Sequence, residues 1–252
     1  MKKTLIYVFV CVLISLGLSS CHKEKSAEEN IIKDAVTDVD GNKYDAVRIG
    51  NQVWMAENLR TTKYADGTEI PLDTVVVPSR YYPDNNAANV EKYGYLYNWE
   101  AVMNGELDTL HGRVQGICPT GWHVPSDVEW QELLDYVWTQ VNPNKAYDKP
   151  AKALASTEGW LPSSNDGSPG CDPSKNNSTG FSALPAGIAV ISDENIILEI
   201  SYMGHYAYFW SSDYDIVSEQ FYYGKSWWLD YMGSELRNEM LMGAGSVRCL
   251  RD

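Results

Sequence analysis

Pro125-Ser126-Asp127-Val128-Glu129-Trp130-Gln131-Glu132-Leu133-Leu134-Asp135-Tyr136-Val137 carries the strongest helix signal in the chain. Ser126 followed three residues later by Glu129 has the spacing of a capping box, in which each residue satisfies an otherwise unpaired amide of the other. Trp130, Leu133, Leu134 and Val137 keep the helical period, so a helix over about 126–138 presents one apolar face. Asp127 and Glu129 resemble an acid/base pair. Both fall in the first turn, however, where the helix dipole favours negative charge, and capping explains them better.

On either side the pattern changes to strands. From Ala35 to Met55 apolar residues alternate, interrupted at Asp40-Gly41 and Gly50-Asn51 as hairpin turns would interrupt them. Asp38-x-Asp40-Gly41 begins like a calcium loop, but Val47 stands where the closing bidentate acid belongs, so calcium is not expected there. Tyr93, Tyr95, Tyr97 and Trp99 alternate onto one strand face. If Asn98 instead caps a short helix over Trp99 to Met103, Trp99 turns into the core.

Beyond the main helix a shorter one is expected at Ala151 to Ser156. A loop rich in Ser, Asn, Pro and Gly follows from Leu161 to Thr179. Strands are expected at Tyr206 to Ser212, Gln220 to Tyr231 and Gly245 to Arg251. Strands, then helices, then strands predict an α+β domain whose two ends meet in one sheet.

The N-terminus has a separate character. Lys2 and Lys3 precede an apolar run from Leu5 to Leu18 that stops at Ser19-Ser20-Cys21. A basic start, a short apolar core and small residues before a cysteine resemble a bacterial lipoprotein signal, with residues 1–20 removed and Cys21 acylated. The run is shorter than the about 20 apolar residues that a membrane-crossing helix needs. Several acyl chains on Cys21 would hold the protein firmly, since two lipid signals already give a stable anchor. Residues 21–34 are polar, with acidic Glu24, Glu28 and Glu29, and are expected to form a flexible tether before a single domain over 35–252. The acidic cluster resembles surface-export signals of some gut-type bacteria. An outer-membrane anchor facing either the periplasm or the cell surface is consistent with it.

Removal of residues 1–20 leaves 232 residues, enough for a large hydrophobic core, with 18 basic and 34 acidic side chains and a net charge of −16. That charge argues against nucleic acid as a partner. Seventeen tyrosines and nine tryptophans against four phenylalanines favour rings with a polar tip, suited to half-wet positions in a sheet or to a ligand platform.

Cys11 leaves with the signal and Cys21 carries lipid, so Cys118, Cys171 and Cys249 remain in an oxidising compartment. Cys118 and Cys249 each sit beside an apolar strand-like segment, whereas Cys171 lies in the loop Ser168-Pro169-Gly170-Cys171-Asp172-Pro173. The expected bridge is therefore Cys118 to Cys249. Closing so long a loop constrains the unfolded chain by roughly 4 to 5 kcal/mol on the entropic account.

A series of segments, in order, resembles the Fibrobacter succinogenes major paralogous domain found in bacterial surface lipoproteins. They are Ile49-Gly50-Asn51-Gln52-Val53-Trp54-Met55-Ala56-Glu57-Asn58-Leu59-Arg60, Tyr93-Gly94-Tyr95-Leu96-Tyr97-Asn98-Trp99, Ile117-Cys118-Pro119-Thr120-Gly121-Trp122-His123-Val124-Pro125-Ser126, Thr179-Gly180-Phe181-Ser182-Ala183-Leu184-Pro185-Ala186-Gly187, Tyr208-Phe209-Trp210-Ser211-Ser212 and Ser246-Val247-Arg248-Cys249-Leu250-Arg251-Asp252. The resemblance implies a C-type-lectin-like fold, also similar to that of the formylglycine-generating enzymes, with short antiparallel sheets, long loops and a last strand returning to the first. It also supports the Cys118–Cys249 pair, because both cysteines fall inside its motifs. The calcium-lectin signature is missing, since Trp210-Ser211-Ser212-Asp213 lacks the amide and adjacent acid. No second cysteine near Cys249 supplies a redox pair for formylglycine chemistry.

No Gly-x-Ser-x-Gly elbow, His-Glu-x-x-His helix or Walker-type loop occurs, and His22, His111, His123 and His205 are scattered. No metal or cofactor is expected. Asp213 with Asp215, or Asp84 near Asp73, would need a measured separation to count as a glycosidase pair. The expectation is a non-catalytic surface protein binding an extracellular ligand, carbohydrate first and a surface protein second, with a glycoside hydrolase third. The candidate contact residues are Tyr222, Trp227, Trp228, Asp230 and Tyr231, with Tyr81, Tyr82, Asp84 and Asn85 as a second group. As sequence neighbours on a strand, Trp227 and Trp228 must face opposite sides.

Overall fold

The computed structural model describes residues 27–73, 78–106, 113–141, 150–191, 197–218 and 221–252. The expected lipoprotein signal, Cys21 and most of the expected tether lie outside them. Among the described residues the fold is mixed α+β, with three sheets and short helices.

Strands β1 (Ile31–Thr37), β2 (Lys43–Ile49) and β3 (Gln52–Met55) form the expected pair of hairpins. Their turns use Gly41 and Gly50 at positive φ (87° and 60°), a region open to glycine at little cost. β1 begins earlier than the sequence suggests: Ile31 pairs with Val47 and Ile32 with Ala46. Residues 31–34, expected at the end of the tether, therefore belong to the folded unit. Two half-buried isoleucines in an otherwise polar stretch were too short a pattern to show an alternation.

The next elements are β4 (Arg80–Tyr81), α1 (Val90–Tyr93), β5 (Leu96–Asn98) and α2 (Trp99–Met103). Asn98 accepts from the Ala101 amide and caps α2, so the strand is cut at Asn98 and Trp99 turns inward, 4% exposed. Tyr93 ends α1 and does not continue the strand. The indole of Trp99 lies directly on Gly224, where a Cβ would collide with it.

After β6 (Trp122–His123), α3 (Asp127–Tyr136) starts at Ser126 with both hydrogen bonds of the capping box in place. It runs on into a π-helical turn over Val137–Val141. Trp130, Leu133 and Val137 are fully buried and Leu134 packs beside them, as their spacing requires. The second helix is α4 (Pro150–Leu154).

The remaining strands are β7 (Ile188–Ile191), β8 (Ile197–Ser201), β9 (Tyr206–Ser218), β10 (Phe221–Asp230), β11 (Arg237–Met240), β12 (Gly243–Gly245) and β13 (Leu250–Arg251). The β7–β8 hairpin has no counterpart in the sequence expectations, although Ile188 to Ile191 and Ile197 to Ile200 are apolar runs around an acidic break. The stretch expected as one strand from Gly245 to Arg251 divides into β12 and β13.

The first sheet has the order β1-β2-β3-β13-β6, the second β11-β10-β9 and the third β4-β5-β12-β7-β8. Leu250 of β13 pairs with Trp54 of β3 and His123 of β6, so the two ends of the domain meet in one sheet as expected. Cys118 and Cys249 form the disulfide, and Cys171 is free.

The core between the first and second sheets is aromatic. Trp130 lies 4.6 Å from Trp54, 5.8 Å from Phe209 and 6.2 Å, stacked, from Trp227. Arg248 is fully buried beside it, donating to Asn58 Oδ1 and to the carbonyls of Met55, Phe181 and Ser182, with its guanidinium over the Phe181 and Phe209 rings. Burial pulls its pKa below the ordinary value, to about 9, which leaves it charged at neutral pH. A buried charge of this kind is tolerable because each of its three nitrogens donates to an oxygen and its face lies over aromatic rings.

Candidate functional site

The β9–β10–β11 sheet buries one face and half-exposes the other. On the buried face Trp227 and Leu229 of β10 meet Ala207 and Phe209 of β9 against Trp130. On the other face Ser226, Trp228 and Asp230 of β10 lie across from Trp210, Tyr208 and Tyr206 of β9, and Arg237 and Glu239 of β11 lie on the far side. Burial falls along this face. Trp210 and Ser226 are sealed, Tyr208 is nearly so, Tyr206, Trp228 and Asp230 are half-buried, and Arg237 and Glu239 are exposed.

At the open end a chain of rings forms an aromatic bay that wraps the end of the sheet, with Tyr231 packed on the Trp227 side and Tyr206 and Trp228 on the other. Tyr202 is 5.8 Å from Tyr206 and 5.9 Å from His205, whose ring is 5.2 Å from Tyr231. Tyr206 is 5.9 Å from Trp228, and Trp228 stacks on Tyr208 at 5.5 Å. The bay is built by a turn in which the carbonyl of Tyr202, itself at φ 66°, accepts from the amides of His205 and Tyr206. The Tyr231 amide donates to the His205 carbonyl and closes the other side. The long Ser/Asn/Gly loop forms part of the rim: Leu161 donates its amide to the Gly204 carbonyl, Gly170 to the Tyr231 carbonyl, and the Asn165 side chain to the Met232 carbonyl.

Two polar atoms here are shielded from solvent and make no hydrogen bond, His205 Nδ1 and Trp228 Nε1. Glu239 accepts from the Tyr208 hydroxyl at 2.7 Å, and Asp230 accepts from the Met232 amide at 2.7 Å. The Tyr206 hydroxyl is pushed above its ordinary pKa by burial first and by the Asp230 charge second. The bay is therefore a half-wet aromatic surface with a negative rim, a form suited to holding the apolar face of a ligand while carboxylates take its polar groups.

The sequence candidates divide on this geometry. Trp228, Asp230 and Tyr231 lie in or beside the bay. Trp227 does not: it is 5% exposed, stacks on Trp130 and donates its indole N–H to Asp127 at 2.8 Å, so its role as a contact residue is corrected to a core one. Trp228 is itself flanked on both sides, by Tyr208 from β9 and by the Arg237 guanidinium 5.2 Å from its ring from β11. Tyr222 pairs through its backbone with Ile216, and its side chain lies outside the described residues. In the second group Tyr81 is 1% exposed and is corrected to a core residue of β4. Tyr82 lies 5.8 Å from Tyr95 with the rings tilted, while Asp84 and Asn85 sit exposed in left-handed backbone conformations (φ 53° each). Sequence reasoning did not select Tyr202, His205, Tyr206 and Tyr208. The alternation of Tyr206, Tyr208 and Trp210 was the available signal, pointing to a face once β9 is paired with the Trp228 strand.

Of the acids flagged by sequence, Asp38, Asp127, Asp213 and Asp215 have structural partners. Asp38 accepts from the Asp40 and Asn42 amides, the Asn42 side chain and the Tyr44 hydroxyl, the pattern of a turn that holds itself. Asp213 accepts from the Asp127 amide at 2.7 Å, and Lys225 stands 3.5 Å from both Asp127 and Asp215. His123, 1% exposed, bridges Glu129 Oε1 at 2.9 Å and Asp252 Oδ1 at 2.8 Å. Among the described residues no three His, Cys, Asp or Glu side chains converge to hold a metal, and no helix is long and apolar enough to cross a membrane.

Comparison with curated proteins gives no match to this chain, and comparison with solved structures gives none either. Residues 47–251 match the Fibrobacter succinogenes major domain, a span that takes in the strands from β3 to β13, the capped helix, the disulfide and the aromatic bay. The chain belongs to the Fibrobacter succinogenes major domain family.

Proposed function

We propose that this protein is an exported, lipid-anchored lipoprotein whose domain binds carbohydrate outside the membrane without catalysing a reaction. The observation that carries the binding half is the aromatic bay, with Tyr202 and Tyr206 at its open edge, Trp228 behind them and Asp230 and Glu239 at its rim. Aromatic rings take the apolar face of a sugar, and the few polar groups beside them fix its hydroxyls. The lipobox-like Ser19-Ser20-Cys21 supports export and anchoring at the outer membrane, on its periplasmic or outer face. A C-type-lectin-like architecture is supported by the return of β13 to β3, by the disulfide beside the helix lead-in and by the long loop framing the bay.

A glycan array probed with the full-length protein tests the binding. Retention of one family of glycans is expected, and silence across the array overturns the proposal. A labelled fatty acid should enter the wild-type protein and not a Cys21→Ser variant. A second reading, contact with a surface protein, draws on the exposed Leu161, Tyr202, Met232 and Met240. It predicts a silent array together with capture of a purified surface protein that Tyr202→Ala abolishes.

A further inference from the structure

We infer that the bay selects a positively charged amine on its ligand, so that the carbohydrate proposed above, a reading on which this inference rests, is an amino sugar carrying a free amine. Tyr202, 41% exposed, and Tyr206 present their rings at the solvent edge of this face, and an aromatic face attracts a cation through its quadrupole. Asp230 and Glu239 lie on the same sheet face, so the cation-attracting rings are bordered by full negative charges. Both carboxylates keep acceptor capacity beyond the single hydrogen bond each makes to Met232 or Tyr208.

The chain itself supplies a second and independent indication. Arg237 reaches across from β11 and lays its guanidinium over the Trp228 ring, although it also has Glu235 at 3.8 Å. An intramolecular cation thus already occupies the part of this surface that it can reach. Among the described residues no cation covers Tyr202 or Tyr206, and Asp230 is the cross-strand partner of Tyr206. Burial is the main cause of the raised pKa of the Tyr206 hydroxyl, and the Asp230 charge adds to it. A uronic acid or sulfated sugar would meet like charges here, and a neutral N-acetyl sugar would gain the ring contact alone. An ammonium gains both.

Titration calorimetry with the full-length protein tests this, using short glucosamine oligomers and the matching N-acetylglucosamine oligomers as probes. The amine form is expected to bind about tenfold more tightly, an advantage that shrinks with added salt and as pH rises through the amine's own pKa. Asp230→Asn and Glu239→Gln keep an acceptor at each position and should remove most of the preference without shifting the thermal midpoint. Equal or tighter binding of the N-acetylated oligomer overturns the amine preference and leaves carbohydrate binding standing. Absence of binding by both oligomers, with a silent glycan array, overturns the carbohydrate reading itself.

Discussion

Trp227 donates to Asp127 and stacks on Trp130, whereas Trp228, one residue on, lies between Tyr208 and Arg237 at the edge of solvent. Strand alternation makes opposite faces legible from the sequence, but which face is core depends on where α3 docks, and α3 comes almost a hundred residues earlier. Trp227→Ala should therefore act as a core truncation, costing about 3–5 kcal/mol in urea unfolding. A Trp227→Ala protein with unchanged stability would contradict its placement. Tyr81 teaches the same lesson: a tyrosine beside Asp and Asn residues reads as surface, yet it is sealed on β4. The bay residues Tyr202 and His205 escaped notice because their contacts arise from a turn and from a ring brought in by β10, neither of which has a periodic signature.

At the scale of the element, α3 shows the closest agreement between pattern and structure, because a capping box and a helical period are local properties. The partner of its cap is not local. Glu129 is held by Ser126 and also by the buried His123, which reaches Asp252 on its other side. Burial alone would raise the Glu129 pKa, but the hydrogen bonds from His123 and Ser126 outweigh it and leave the carboxyl below its ordinary value of 4.5. A carboxylate with a lowered folded pKa contributes stability that is present above its unfolded pKa and is lost as pH falls through the folded one. Stability should therefore decline below about pH 4.5, and Glu129→Gln should flatten that decline in pH-dependent urea titrations. An unchanged acid limb in the variant would show that Glu129 takes no part. Among the strands, the long β9 and β10 are legible, β12 and β13 are read as one strand, and the short β4 and β6 are not legible, since two residues carry too little alternation.

For the whole molecule, the meeting of the chain ends was legible from the order of elements, and the cysteine pairing from the segments around each cysteine. The disulfide joins Cys118, in the loop before β6, to Cys249, just before β13, across a sequence separation of 131. It therefore fastens the strands where the ends meet. Cys118→Ala with Cys249→Ala should cost about 2–5 kcal/mol, while Cys171→Ala should leave the melting curve unchanged. Equal effects of the two changes would contradict the pairing. The bay needs this whole arrangement, because its rings come from β9, β10 and the turn before β9, and its rim from a loop more than thirty residues upstream of β9. The most direct test of the account is a glycan array on the wild-type protein beside a variant truncated at the exposed Tyr202, Tyr202→Ala, with melting curves of both. Loss of the wild-type glycan signal at an unchanged melting midpoint is the predicted result, and a variant that binds as well as the wild type would contradict it.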